Sequence, residues 1–148
     1  MTDINLINES REKVADYFSR LDGFFLKRTE LLKLMITAVT AQEPMLFVGR
    51  SGTAKSLLVS VFCQGLGLHE DDYFEYMLTK FTEPSEIMGP VDIQELKSGR
   101  YSRKIEGHLP TAKIAFLDEI FKANSAILNV LLTIINERKY YQEGKPIP

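Results

Sequence analysis

Two short stretches carry residues whose types and spacing could do chemistry. One is the turn Gly49-Arg50-Ser51-Gly52-Thr53-Ala54-Lys55-Ser56; the other is Asp118-Glu119, at the end of "KIAFLDE" about sixty residues on. A triphosphate needs backbone N–H groups wrapped around it and a helix N-terminus whose dipole favours anions. It also needs a lysine reaching the outer phosphates and a hydroxyl for Mg²⁺. The turn offers these parts in order, with Lys55 for phosphate and Ser56 for metal. Ala54 stands where glycine is usual before the lysine, which narrows the backbone choices by one methyl group. The bare pattern G-x₅-K-[ST] arises by chance on the order of once per ten chains of this length, so the flanking elements and the second stretch must decide. Asp118, delivered by a strand end, would hold Mg²⁺ opposite Ser56, and Glu119 would orient and polarise an attacking water. Alone, the acid pair could be a strand leaving for solvent. With the turn, it points to a nucleoside-triphosphate site.

The elements that must position these residues follow from periodicity. Val14, Tyr17, Phe18 and Leu21 predict an amphipathic helix over residues 10–21 that stops near Gly23. Leu31, Leu32, Leu34, Met35, Ile36 and Val39 predict a second, ended before Pro44. "MLFV", residues 45–48, reads as a short buried strand entering the turn. Leu57, Leu58, Val61 and Phe62 predict the helix that leaves it, closed by Gly65 and Gly67. "YFEYMLTK", residues 73–80, reads as a strand with Phe74, Tyr76 and Leu78 on one face. Pro84 should open a short helix that stops by Gly89. Residues 91–105 read as a hairpin turning at Ser98-Gly99, and "KIAFL" as a buried strand. A long helix should start at an Asn124 or Ser125 cap, and "KYYQEGKPIP" reads as a strand and turn. Strands alternating with helices argue an α/β fold with a largely parallel sheet.

Composition sets the outer bounds. The 148 residues suit one domain, and 45% hydrophobic against 26% charged residues suit a globular core. A net charge of −2 supplies no global field toward nucleic acid or anionic membrane, so any such binding must be local. The lone Cys63 cannot form an internal disulfide. The N-terminus has neither a basic start nor an apolar run, and no apolar run is long enough for a bilayer. A cytoplasmic location is expected.

The pair "GRSGTAKS" and "IAFLDEI" resembles the Walker A and Walker B motifs of AAA+ ATPases. The intervening "TKFTEPSEIMGP" and the following "FKANSAILNVLLTIINERKYYQEG" are similar to the MoxR family and, within it, to a RavA-like branch that also has alanine before the lysine. The resemblance covers about residues 25–148. It implies a three-layer P-loop NTPase domain, with N-terminal helices over residues 1–43 and an insertion at 91–105 that usually points toward a ring pore or partner. It implies ATP and Mg²⁺ as cofactors, with Lys55 on phosphate, Ser56 and Asp118 on Mg²⁺, and Glu119 activating water. It further implies self-association into a ring, a hexamer, that remodels a protein client as a chaperone-like motor. Lys122, Glu137 and Arg138 fall where the family often places subunit-boundary residues. The family's polar sensor, arginine finger and helical lid lie beyond residue 148, so an incomplete domain lacking its C-terminal strands is expected.

Two rival uses remain open in the sequence: a nucleotide-binding interaction module without turnover in this form, and an AAA+ protein whose hairpin contacts DNA through Lys97, Arg100, Arg103 and Lys104. Interleaved Glu95 and Glu106 favour a solvated hairpin over the second. "HEDD", residues 69–72, mimics a metal cluster but reads as a solvated loop. Cys63 reads as core filler, His108 as part of a turn, and the aromatics of residues 73–81 as core.

Overall fold

The computed structural model describes residues 2–49, 53–142 and 145–147. The sequence reads as one domain; the chain divides into two compact units, residues 1–67 and 68–148.

The first unit is helical. Helix α1 spans Thr2–Phe24, α2 Thr29–Ala41 and α3 Lys55–Gly65. Leu21, Leu32 and Met35 are buried, as are Leu58, Val59, Phe62 and Cys63 along one face of α3. Tyr17 of α1 meets Phe62 edge-on at 5.5 Å between ring centroids, and its hydroxyl donates to the Phe62 carbonyl at 2.6 Å. Burial pushes that hydroxyl's pKa well above its ordinary value. Gly65 allows the approach, because a Cβ there would lie 2.8 Å from the Tyr17 ring. Gln42 ends α2 in the left-handed region at φ 55°.

The strand expected at residues 45–48 is not formed. Leu46 and Val48 are 60% and 81% exposed, and the segment runs as irregular chain into Gly49. A strand exists through its partners, and a short apolar run signals burial without saying what will pair with it.

The second unit carries the sheet. Strands β1 (Tyr73–Met77) and β2 (Ile114–Asp118) pair in parallel, Tyr73 opposite Ile114 through to Met77 opposite Asp118. Helix α4 (Pro84–Met88) opens on a capping box formed by Glu83 and Glu86, with proline in its first turn. Helix α5 spans Ile93–Lys97 and α6 Ser125–Glu137; β3 (Tyr140–Gln142) and β4 (Lys145–Ile147) form a separate antiparallel pair. The core gathers Phe74, Leu78, Ile87, Met88, Ile127 and Leu131, so α4 and α6 pack on the face of β1 that bears Phe74. The start of the sheet is tied by Lys113, whose N–H donates to the Asp72 carbonyl at 2.8 Å and whose ammonium pairs with the Asp72 carboxylate at 3.0 Å. The lysine holds that carboxyl below its ordinary range.

Three expectations change here. The 91–105 hairpin is instead an excursion closed at its base, where Val91 bridges Arg103 and the Asp92 N–H donates to the Ser102 carbonyl at 2.8 Å; its tip is helix α5. Asp92 accepts from the N–H groups of Gln94 and Glu95, so an N-cap followed by good helix formers outweighed the strand pattern. Gly89 permits the closed base: its φ is +88°, and a Cβ would lie 1.9 Å from the Lys104 carbonyl oxygen. Strand β2 is half-buried, with Phe116 buried and Ala115 exposed. Among the aromatics of residues 73–81, Phe81 is 77% exposed, beside the Lys80 ammonium at 4.8 Å.

Candidate functional site

Residues 49–54 precede α3, an 11-residue helix. Ala54 sits before the helix in the left-handed region (φ 54°, ψ 35°), and its carbonyl accepts the Leu58 N–H at 3.0 Å, starting the helical ladder. Lys55 and Ser56 are therefore the first two residues of an 11-residue helix. There the free N–H groups and the dipole favour an anion. The Lys55 ammonium donates to the Gly49 carbonyl at 3.4 Å. Arg50, Ser51 and Gly52 lie outside the described residues.

Sequence reasoning missed Arg28. From the start of α2, its guanidinium donates to the Thr53 carbonyl at 3.3 Å, which brings a permanent cation to the residue before Ala54. Its only sequence signal is a basic residue just ahead of the α2 apolar stripe, and nothing in that spacing indicates a loop twenty-five residues away.

The acid pair lies in the second unit, at the C-terminal end of parallel strand β2. The Asp118 carbonyl accepts from the Leu78 N–H at 2.9 Å, continuing the ladder by one bond. Its Oδ1 accepts from the Glu119 N–H at 2.9 Å. The second carboxylate oxygen remains as a hard donor of the kind Mg²⁺ takes, as is the Ser56 hydroxyl, so both residue types fit that ion. Glu119 is left-handed (φ 57°, ψ 39°), two-thirds shielded, and its carboxylate pairs with the Lys122 ammonium at 3.4 Å.

Of the other residues expected near a subunit boundary, Glu137 accepts from the Tyr141 hydroxyl at 2.9 Å, and Arg138 closes α6 in the left-handed region. His108 takes part in a turn, its Nδ1 2.9 Å from the Glu106 carbonyl and its ring 6.5 Å from that of Phe74. Of the basic residues of 91–105, Arg100 pairs with Glu95, and Arg103 donates to the Gly89 carbonyl at 2.8 Å. Among the described residues, no helix is long and apolar enough to cross a membrane.

Residues 12–147 match the family described as the MoxR domain in the MoxR-vWA-beta-propeller ternary systems. Two uncharacterized proteins of Methanocaldococcus jannaschii, MJ0079 and MJ0812, are 44% and 48% identical over 94% and 88% of this chain. A structural protein of Acidianus two-tailed virus, ORF618, is 34% identical over 95% of it. The chain spans about a third of the length of the first two relatives and 23% of the third. With the match running through residues 49–56 and through Asp118-Glu119, the chain belongs to the MoxR family of AAA+ ATPases.

Proposed function

We propose that this chain binds Mg-ATP and, as part of a MoxR-type ring, hydrolyses it to remodel a protein client. The observation that carries the proposal is the entry to α3: Lys55 and Ser56 open the helix directly after a left-handed Ala54, with the Lys55 ammonium on the Gly49 carbonyl. Residues 49–56 would wrap the phosphates with backbone N–H groups, and Lys55 would contact the outer phosphates. Ser56 and Asp118 are the proposed oxygen donors for Mg²⁺, which when bound would offset the developing phosphate charge. Glu119 would orient the attacking water and accept its proton. Both units would then belong to one three-layer P-loop domain. The RavA-like branch rests on the resemblance of the motifs alone. The family's description adds vWA and beta-propeller proteins as candidate partners, and excess acidic charge leaves duplex DNA disfavoured as a target.

The test is ATP turnover per chain against chain concentration with Mg²⁺, beside ATP affinity for the parent and two variants. Lys55→Ala should weaken ATP binding by at least about a hundredfold with the fold intact, and Glu119→Gln should bind ATP but not turn it over. Unchanged ATP affinity in the lysine variant defeats the cradle. Turnover per chain that rises with concentration supports shared sites in a ring. Binding without turnover at any concentration reduces the function to a nucleotide-binding module.

A further inference from the structure

Asn124 fastens two segments at once. Its Oδ1 accepts from the Ile127 N–H at 3.0 Å and caps α6. Its Nδ2 donates to the Thr82 carbonyl at 2.7 Å and to the Lys80 carbonyl at 3.3 Å, in the loop after β1. That loop is itself fixed: Thr82 is 3% exposed, and its hydroxyl accepts from the Thr79 N–H at 2.9 Å. At the other end of the same two segments, the Leu78 N–H donates to the Asp118 carbonyl. Residues 119–123 therefore run between two ties to the loop that follows β1, and Glu119 is the first of them.

Glu119 needs such support. A left-handed backbone costs a residue with a side chain about 1–3 kcal/mol and persists only where the surroundings over-determine it. Within the turn, the Glu119 N–H donates to Asp118 Oδ1, and the Glu119 carbonyl accepts from the Lys122 N–H at 2.8 Å. Those bonds shape the turn, while the amide of Asn124 fixes where it must end.

We propose that Asn124 is a positioning residue for ATP hydrolysis, acting through residues 119–123 to set the direction of the Glu119 carboxylate. The inference rests on the proposed function and assigns a role to a residue outside both the phosphate turn and the acid pair. Aspartate at this position separates the two jobs. A carboxylate still caps α6 and suits a helix N-terminus, but it has no N–H to give and faces two carbonyl oxygens. Serine also caps well and adds no charge.

The test compares the natural full-length protein with its Asn124→Asp and Asn124→Ser variants for kcat, KM and affinity for Mg-ATP, with amide hydrogen exchange as the conformational readout. Both variants should keep KM and ATP affinity within about threefold and lose kcat by at least about tenfold. Exchange should quicken in residues 78–82 and 119–123, with α6 still protected. A kcat within about twofold of the parent in both variants, despite quickened exchange, overturns the proposal and leaves Asn124 as a structural clamp. Loss of α6 protection in both, or loss of ATP affinity together with kcat, also overturns it. A parent that binds ATP without turning it over overturns the proposed hydrolysis, and this role with it; the parent alone reveals that case.

Discussion

The phosphate turn and the acid pair use the same backbone device under different support. Ala54 and Glu119 are both left-handed, at φ 54° and 57°, and each stands just before the helical segment that follows it. On either side of Ala54, an exposed Arg28 donates to the Thr53 carbonyl at 3.3 Å and Lys55 reaches the Gly49 carbonyl at 3.4 Å. The segment after Glu119 is tied into a ladder bond and a half-buried amide, over a core of Phe74, Leu78, Ile127 and Leu131. On the proposed function, a turn that wraps phosphate with its backbone can leave its donors for the ligand, whereas a carboxylate that must aim at one water molecule has to be aimed by the protein.

The largest effects should come from removing the packing beneath each half. Phe62→Ala, on the buried face of α3 itself, should cost about 3–5 kcal/mol of folding stability and weaken ATP binding as α3 loosens. Leu131→Ala, in the core that packs on β1, should cost about 2–5 kcal/mol and lower turnover while ATP affinity holds. Denaturant melts and binding titrations of both would break the comparison if each lost affinity equally.

A smaller effect tests the shared device. Ala54→Gly should gain about 0.5–1 kcal/mol, since glycine adopts this conformation without a Cβ penalty that exceeds its entropic cost. ATP affinity should be unchanged. Glu119→Gly would relieve the same strain and abolish turnover, so thermal melts beside turnover assays separate a replaceable left-handed residue from an irreplaceable one. Destabilisation by Ala54→Gly would contradict the conformation assigned to the turn.

The smallest effect concerns the opposite end of the sheet. The Asp72 carboxyl is held below its ordinary value by Lys113, so the pair stabilises the fold above the unfolded-state value near pH 4. That contribution fades as the pH falls through the lower folded value. Lys113→Met should lower the unfolding midpoint slightly at pH 7, with the difference from the parent shrinking in acid. A difference that grew in acid would reverse the assigned sign.

Local signals were legible where the physics is local. Pro84 opens α4, Gly89 closes it, Asn124 caps α6, and Gly65 and Gly67 mark the end of α3; each acts within a turn of its own position. The acid pair was legible because a strand pattern led directly into it. Other features depend on partners remote in sequence. Residues 45–48 look like a strand from composition, but composition cannot supply a neighbour to pair with. Helix α5 was hidden because "VDIQELK" satisfies both an alternating reading and an Asp92 cap with a helical run, and the cap won. Arg28 reaches across 25 residues and the amide of Asn124 across 42 and 44, distances at which spacing carries no information.

The dual use of Asn124 bears on how the protein would age. Asparagine is among the residues that heat and time degrade, and hydrolysis of its amide releases ammonia and leaves a carboxylate, on an aspartyl or an isoaspartyl residue, the former identical to the Asn124→Asp variant. On the proposed role, molecules carrying aspartate there would keep the α6 cap and the core, and would show their age as quickened exchange in residues 119–123 and lowered turnover. Peptide mapping of a stored sample, set against its remaining activity, would show whether this position keeps the protein's time.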